Sequence, residues 1–351
     1  MSPTTNARLA PLPLQPPRTP WPTAAWPEGE IEAAAGRATV VEASGSFFEA
    51  RATATCGRTD ALAIVQGGRL VLERYAAPFD AAATQPSWSM AKSITQALVG
   101  LAVGEGRLDI MRPVDAPEWR GANDPRGAIT LDQLLRMSSG LAFVEDYTPG
   151  STSDVIEMLY GSGKADTAAY AASRPLIHPP GTFMAYASGT TNIVSRALGT
   201  ALGLTGPSFR AFMREQLFAP LGMASPIPKF DAAGTFIGSS FCFCTPRDFA
   251  RFGLLYLRDG VWDGRRLLPE GWTDYARTPT PRQPGAADGA YGAHWWLDAF
   301  GPDTFSANGY DGQFIILRPE RDLIVVRNGR MVADGRGELK ARLGELVALF
   351  D

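Results

Sequence analysis

Ser89-Met90-Ala91-Lys92 sets a serine and a lysine three positions apart. On a helix, residues i and i+3 share a face, so the Lys92 amine can reach the Ser89 hydroxyl. A serine hydroxyl is a weak nucleophile until a base takes its proton. Lysine serves as that base when burial or a nearby cation lowers its pKa, whereas arginine keeps its proton. Arginine carries the positive charge nearly everywhere else in this chain. The four lysines are Lys92, Lys164, Lys229 and Lys340, which makes the lysine at 92 a specific choice. Met90, Ile94, Ala97, Leu98 and Leu101 recur at helical spacing and predict a deeply packed helix. Ser89 at its start lies near free backbone N–H groups suited to an oxyanion. The competing reading of the motif alone is a helix-capping serine beside a solvated lysine.

A Ser-His-Asp apparatus lacks its parts. No G-x-S-x-G occurs, and the two histidines are His178, in a proline-bound turn, and His294, in an expected strand from Tyr291 to Leu297. Each reads as a hydrogen-bonded or pocket-lining residue. A second cluster is Pro180-Gly181-Thr182-Phe183-Met184-Ala185-Tyr186-Ala187-Ser188-Gly189, just before an expected helix over Thr191–Leu202. A tyrosine can shuttle protons when a neighbouring lysine lowers its pKa. It can equally be a core tyrosine beside a capping serine.

Together, Ser89-x-x-Lys92 and Pro180-Gly181 leading into Tyr186-x-Ser188 resemble the serine β-lactamase and penicillin-binding-protein superfamily. The likeness is closest to its class C-like esterases, D-aminopeptidases and 6-aminohexanoate-dimer hydrolases. Ile129–Leu141, Trp262-Asp263-Gly264, Leu268-Pro269 and Trp272 match supporting stretches, and the similarity spans roughly Leu62 to Val326. The resemblance implies an α+β fold of the β-lactamase/DD-peptidase type. In it, an antiparallel sheet flanked by helices carries an inserted, mostly helical domain, with the site between them. It also implies roles. Ser89 is acylated, Lys92 is its base, and Tyr186 protonates the leaving group. Ser188 stands where many relatives carry Asn and bonds substrate or Lys92. Tyr147, within Glu145-Asp146-Tyr147, lines the pocket or packs in its loop.

The third motif departs from the pattern. Where relatives carry K-T-G or H-x-G, this chain has Ser306-Ala307-Asn308-Gly309-Tyr310-Asp311-Gly312-Gln313. By the same resemblance, Asn308 and Gly309 touch substrate, and the Tyr310 and Ser89 N–H groups form the oxyanion hole; His294 is carried as a pocket-lining, substrate-binding candidate from its own strand context. The stretch has no cation, and Asp311 adds negative charge. This predicts neutral esters and short amides as substrates, ahead of carboxylate-bearing β-lactams.

The elements that must hold these residues follow from punctuation and periodicity. Ala61–Val65 and Leu70–Tyr75 read as a hairpin around Gly67-Gly68. Thr130 and Gln133 form a capping box for a helix closed by Gly140, and Thr245-Pro246 opens a helix through Leu257. Phe236–Cys244, Phe314–Leu317 and Leu323–Arg327 read as strands, and Leu339, Leu343, Leu346 and Phe350 stripe a last helix. Strands at both ends around a helical middle predict three regions. They are a proline-rich arm over 1–39, a discontinuous sheet domain over 40–85 and 236–351, and a helical domain over 86–235.

The chain has 351 residues, 45% hydrophobic, with net charge −3 and pI near 5.6. No basic stripe suggests nucleic acid. Three cysteines form no disulfide framework, and no metal or cofactor motif is present. No signal-like segment and no apolar run of about 18 residues occur, so the expectation is a cytoplasmic protein with a small ester or amide as its partner. The alternatives are a β-lactamase or D-amino-acid peptidase, an acyltransferase, or a catalytically idle binding protein.

Overall fold

A computed structural model of the chain describes residues 9–148, 150–281 and 290–351. The labelled helices are α1 (Arg37–Ser46), α2 (Ala50–Cys56), α3 (Ala91–Gly104), α4 (Leu131–Leu135), α5 (Ser188–Leu202), α6 (Pro246–Leu257) and α7 (Arg336–Ala348). The main sheet is built from β1 (Thr59–Gln66), β2 (Arg69–Tyr75), β3 (Ala290–Tyr291), β4 (Trp296–Leu297), β5 (Phe305–Gly309), β6 (Gln313–Arg318) and β7 (Leu323–Gly329). Its order is β2-β1-β7-β6-β5-β4-β3, antiparallel throughout.

The sheet closes the two ends of the chain on each other, because β1 pairs with β7. Alternation along β1 explains how both faces are buried. Leu62 and Ile64 join a core with Val40, Phe47, Leu339 and Leu343, under α1, α2 and α7. Ala63 and Val65 face α6 and the main core. The helices between β2 and β3 include α3 and α4, which both pack on α5, and α6, which packs on β1, β6 and β7. This is the antiparallel α+β fold that the motifs implied. No helix among the described residues is long and apolar enough to cross a membrane.

Four expectations are corrected. The arm does not reach residue 39, since α1 begins at Arg37. Neither α1 nor α2 was anticipated, because RATVVEASGS and ARATATC carry no apolar stripe. Earlier, the arm does pack on the body: the Trp26 indole donates to the Arg247 carbonyl at 3.2 Å, and Trp21 meets Trp262 at 5.1 Å. Within Phe236–Cys244 only Cys242–Phe243 pairs as strand. The chain turns at Gly238, which lies against the Thr95 and Ser195 hydroxyls with no room for a side chain. Tyr291–Leu297 is a tight hairpin of two short strands, with His294 left-handed at φ 59° in its turn. The capping box of Thr130 and Gln133 forms, yet α4 ends at Leu135, well before Gly140.

One buried side chain ties this frame to the turn after β5. Arg327 of β7 is 0% exposed. Its guanidinium donates to the Gly312 carbonyl at 2.7 Å, the Arg58 carbonyl at 2.8 Å and Thr59 Oγ1 at 3.2 Å. Arg327→Met would strand these acceptors in a dry interior. It is expected to lower the unfolding free energy by about 2–5 kcal/mol, read from urea denaturation.

Candidate active site

Ser89 lies in a 3-10 turn, Trp88–Met90, that runs directly into α3. The turn is fastened from both sides. Ser87 Oγ donates to the Ser240 carbonyl at 3.2 Å and accepts the Cys242 N–H at 2.9 Å. Trp88 takes φ 43°, a costly value for a bulky side chain. Its ring is held by Phe241 and Tyr310, each 5.5 Å away.

Lys92 is one turn on, in a helix buried from Ala91 to Ala102. The side chain is 1% exposed. Its amine meets three acceptors: Ser89 Oγ at 3.0 Å, Ser188 Oγ at 2.9 Å and the Ser239 carbonyl at 2.9 Å. The turn at Gly238, read from sequence as strand, is what aims the Ser239 carbonyl inward. Burial lowers the Lys92 pKa to about 8, against the opposing charge of Glu145. That shift brings the neutral amine closer to the neutral pH range.

Tyr186 does not receive the help expected from lysine. Lys92 Nζ sits over its ring, 4.8 Å from the centroid. Burial and the Glu145 charge hold the phenol well above its ordinary pKa, opposed by Ser89 and Arg336. Tyr186 is therefore a proton donor in this state. Its ring is set by Tyr291 at 5.8 Å and Trp296 at 5.3 Å.

Ser188 is not placed to touch substrate. It is fully buried at the start of α5. Its Oγ accepts from Lys92 and donates to Glu145 Oε1 at 2.6 Å, and its N–H donates to Glu145 Oε2 at 2.7 Å. The alternative partner named for it, Lys92, is the one observed. Tyr147 donates to Glu145 Oε1 at 2.7 Å. Glu145, singled out in the sequence without a role, is the hub of this group.

Above these residues opens a cleft of about 360 Å³. It gathers Ser89, Tyr147 and Tyr186 with Asn308, Gly309 and Tyr310 from the end of β5. Gly309 is required by close approach, since a side chain there would collide with the Ser87 carbonyl. Asn308 is 5% exposed, and neither of its amide atoms has a partner among the described residues. Such an amide suits a ligand that both donates and accepts. The Tyr147 and Tyr310 rings lie 4.6 Å apart.

Two charges differ from expectation. Asp311 lines the cleft, but its carboxylate accepts the Met331 N–H at 2.7 Å and so holds the turn. Arg336, exposed at the first position of α7, supplies a cation from outside the third motif. A cation at a helix N-terminus opposes the helix dipole, and that was the sequence signal for it.

His294 is the hydrogen-bonded residue of the two alternatives, and its placement as a pocket-lining, substrate-binding residue is corrected. It lies 2% exposed beneath the site, away from the cleft. Leu135 O can only accept, so Nδ1 carries the proton at 2.7 Å, and Nε2 accepts from Thr191 Oγ1 at 3.0 Å. Burial lowers its pKa to about 3, so it is a neutral brace among α3, α4 and α5.

A family model described as Beta-lactamase matches residues 48–329. The chain belongs to the Beta-lactamase family. Among curated relatives, the 6-aminohexanoate-dimer hydrolase of Paenarthrobacter ureafaciens is 26% identical over 298 residues, spanning 80% of this chain and 74% of that protein. Among solved structures, a candidate 6-aminohexanoate-dimer hydrolase from Bacillus anthracis superposes with TM-score 0.75 at 20% identity, covering 94% of this chain and 88% of that one. A family VIII carboxylesterase superposes at 0.66 and 16% identity, covering 91% and 98%. At these identities the two structures establish the shared fold.

A lowered Lys92 pKa beside Ser89 in this Beta-lactamase family chain makes a pH test possible. A base must be neutral to accept the Ser89 proton, so the reactivity of Ser89 should rise with pH through a midpoint near 8. Lys92→Arg keeps the charge and cannot lose the proton. It should be nearly as unreactive as Lys92→Ala, measured as the rate of fluorophosphonate labelling across pH 6–10.

Proposed function

We propose that the protein is a serine hydrolase that cleaves small esters or amides through an acyl-enzyme on Ser89. The observation that carries this reading is the buried, pKa-lowered Lys92 amine, 3.0 Å from a serine hydroxyl that opens onto a cleft. Neutral Lys92 takes the Ser89 proton as Oγ adds to the substrate carbonyl. The Ser89 and Tyr310 N–H groups receive the oxyanion. Tyr186 gives its phenolic proton to the departing alcohol or amine. Water then attacks the acyl-enzyme and yields a proton to the Tyr186 phenolate. Ser89 leaves with the proton held on Lys92, so the cycle balances. An alcohol or amine in place of water would make the same site an acyltransferase.

Labelling by a fluorophosphonate at Ser89, lost in a folded Ser89→Ala variant, is the expected result. A folded parent that takes no label would leave an idle binding protein as the reading.

Arg336 favours a second, narrower reading of substrate charge. The expectation of neutral substrates rested on a cleft without a cation, and Arg336 removes that premise. A 6-aminohexanoate dimer is itself a linear amide ending in a carboxylate. We therefore expect the nitrophenyl half-ester of glutaric acid to be cleaved better than nitrophenyl acetate. Arg336→Met should reduce that preference about 10- to 100-fold in relative kcat/KM, the loss of one charge-assisted contact. An unchanged ratio would restore the preference for neutral esters.

A further inference from the structure

We propose that Glu145 is a positioning residue: by holding the Ser188 hydroxyl proton it leaves the Lys92 lone pair free to face Ser89. The inference rests on Ser89 being the nucleophile and follows from counting hydrogens. A neutral lysine amine has two N–H donors and one lone pair. It faces three oxygens, Ser89 Oγ, Ser188 Oγ and the Ser239 carbonyl. The carbonyl can only accept, which assigns one N–H. The two hydroxyls can each donate or accept, so the base is defined only when one of them is fixed.

Glu145 fixes Ser188. Its Oε1 receives the Ser188 hydroxyl at 2.6 Å, and its Oε2 receives the Ser188 N–H at 2.7 Å. With its proton turned to the carboxylate, Ser188 Oγ can only accept from Lys92. That assigns the second N–H. The lone pair then points at Ser89, the one hydroxyl free to donate. If the Ser188 proton turned on Lys92 instead, the lone pair would be consumed there and Ser89 would face an N–H donor. Tyr147 secures the carboxylate through its own hydrogen bond at 2.7 Å. The charged and titratable groups about the pair are Tyr147, Tyr186, Tyr291, His294 and Arg336.

Glu145→Gln tests this with little change of shape. The Ser188 N–H needs an acceptor, so the amide oxygen takes the Oε2 position. The amide nitrogen then faces Ser188 Oγ and donates to it. That frees the Ser188 proton to turn on Lys92. The readout is the rate of fluorophosphonate labelling of Ser89 against pH, with folding checked by circular dichroism. Glu145→Gln is expected to lower the high-pH plateau about 10- to 100-fold, the scale of one charge-assisted hydrogen bond. The midpoint of the pH rise should move downward, because the charge that holds the Lys92 pKa up is gone. A role confined to folding would not move that midpoint.

In a Ser188→Ala background, Glu145→Gln should add less than about a twofold further loss, since Glu145 acts through that hydroxyl. Additive losses, or a Glu145→Gln plateau within about twofold of the parent, would overturn the proposal. So would an unchanged labelling rate in Ser188→Ala, whether or not Glu145→Gln folds. These outcomes leave the nucleophile intact. Absence of labelling in the parent would instead sink the acyl-enzyme reading itself.

Discussion

The site depends on keeping one amine dry. A lysine withdrawn from water favours its neutral form, yet an amine with no acceptors would be too costly to bury. Lys92 satisfies both conditions. The wall of α3 excludes water, and three oxygens from three separate stretches of chain meet its nitrogen. Glu145 limits how far the pKa falls. Its charge also holds the Tyr186 phenol up, so one carboxylate acts on two neighbouring titratable side chains.

The opposite wall is a matter of distance. The end of β5 comes close to the Ser89 turn. Gly309 permits that approach, and Trp88 wedges between Phe241 and Tyr310 to hold it. The turn beyond is carried by Arg327 from beneath and by Asp311 bonded to Met331. A residue that reads as a repulsive charge in sequence is thus a brace in space. The cation at the cleft, Arg336, comes from α7 and not from the stretch around Asn308 and Gly309.

Much was legible in the sequence because it was local. Ser89 and Lys92 meet through the three-residue spacing of a helix, and the stripe from Met90 to Leu101 announced its burial. The hairpin at Gly67-Gly68, the capping box at Thr130 and the Thr245-Pro246 helix start are likewise set by neighbours in the chain. The joint pattern with Tyr186-x-Ser188 was enough to name the fold.

What only the tertiary structure decided was pairing across distance. His294 shares its neighbourhood with aromatic pocket residues in sequence, but its ring turns down to Leu135 and Thr191. Ser188 faces Lys92 and Glu145 because α5 starts there, so its hydroxyl lies beyond the reach of substrate. Ser239 and Arg336 enter the site from segments with no motif. Hydrogen-bond direction and electrostatic balance arise from the folded arrangement of groups far apart in the chain. Residue types and spacings determined which chemistry the protein could hold, and long-range packing determined which side chains meet at the cleft and how they bond.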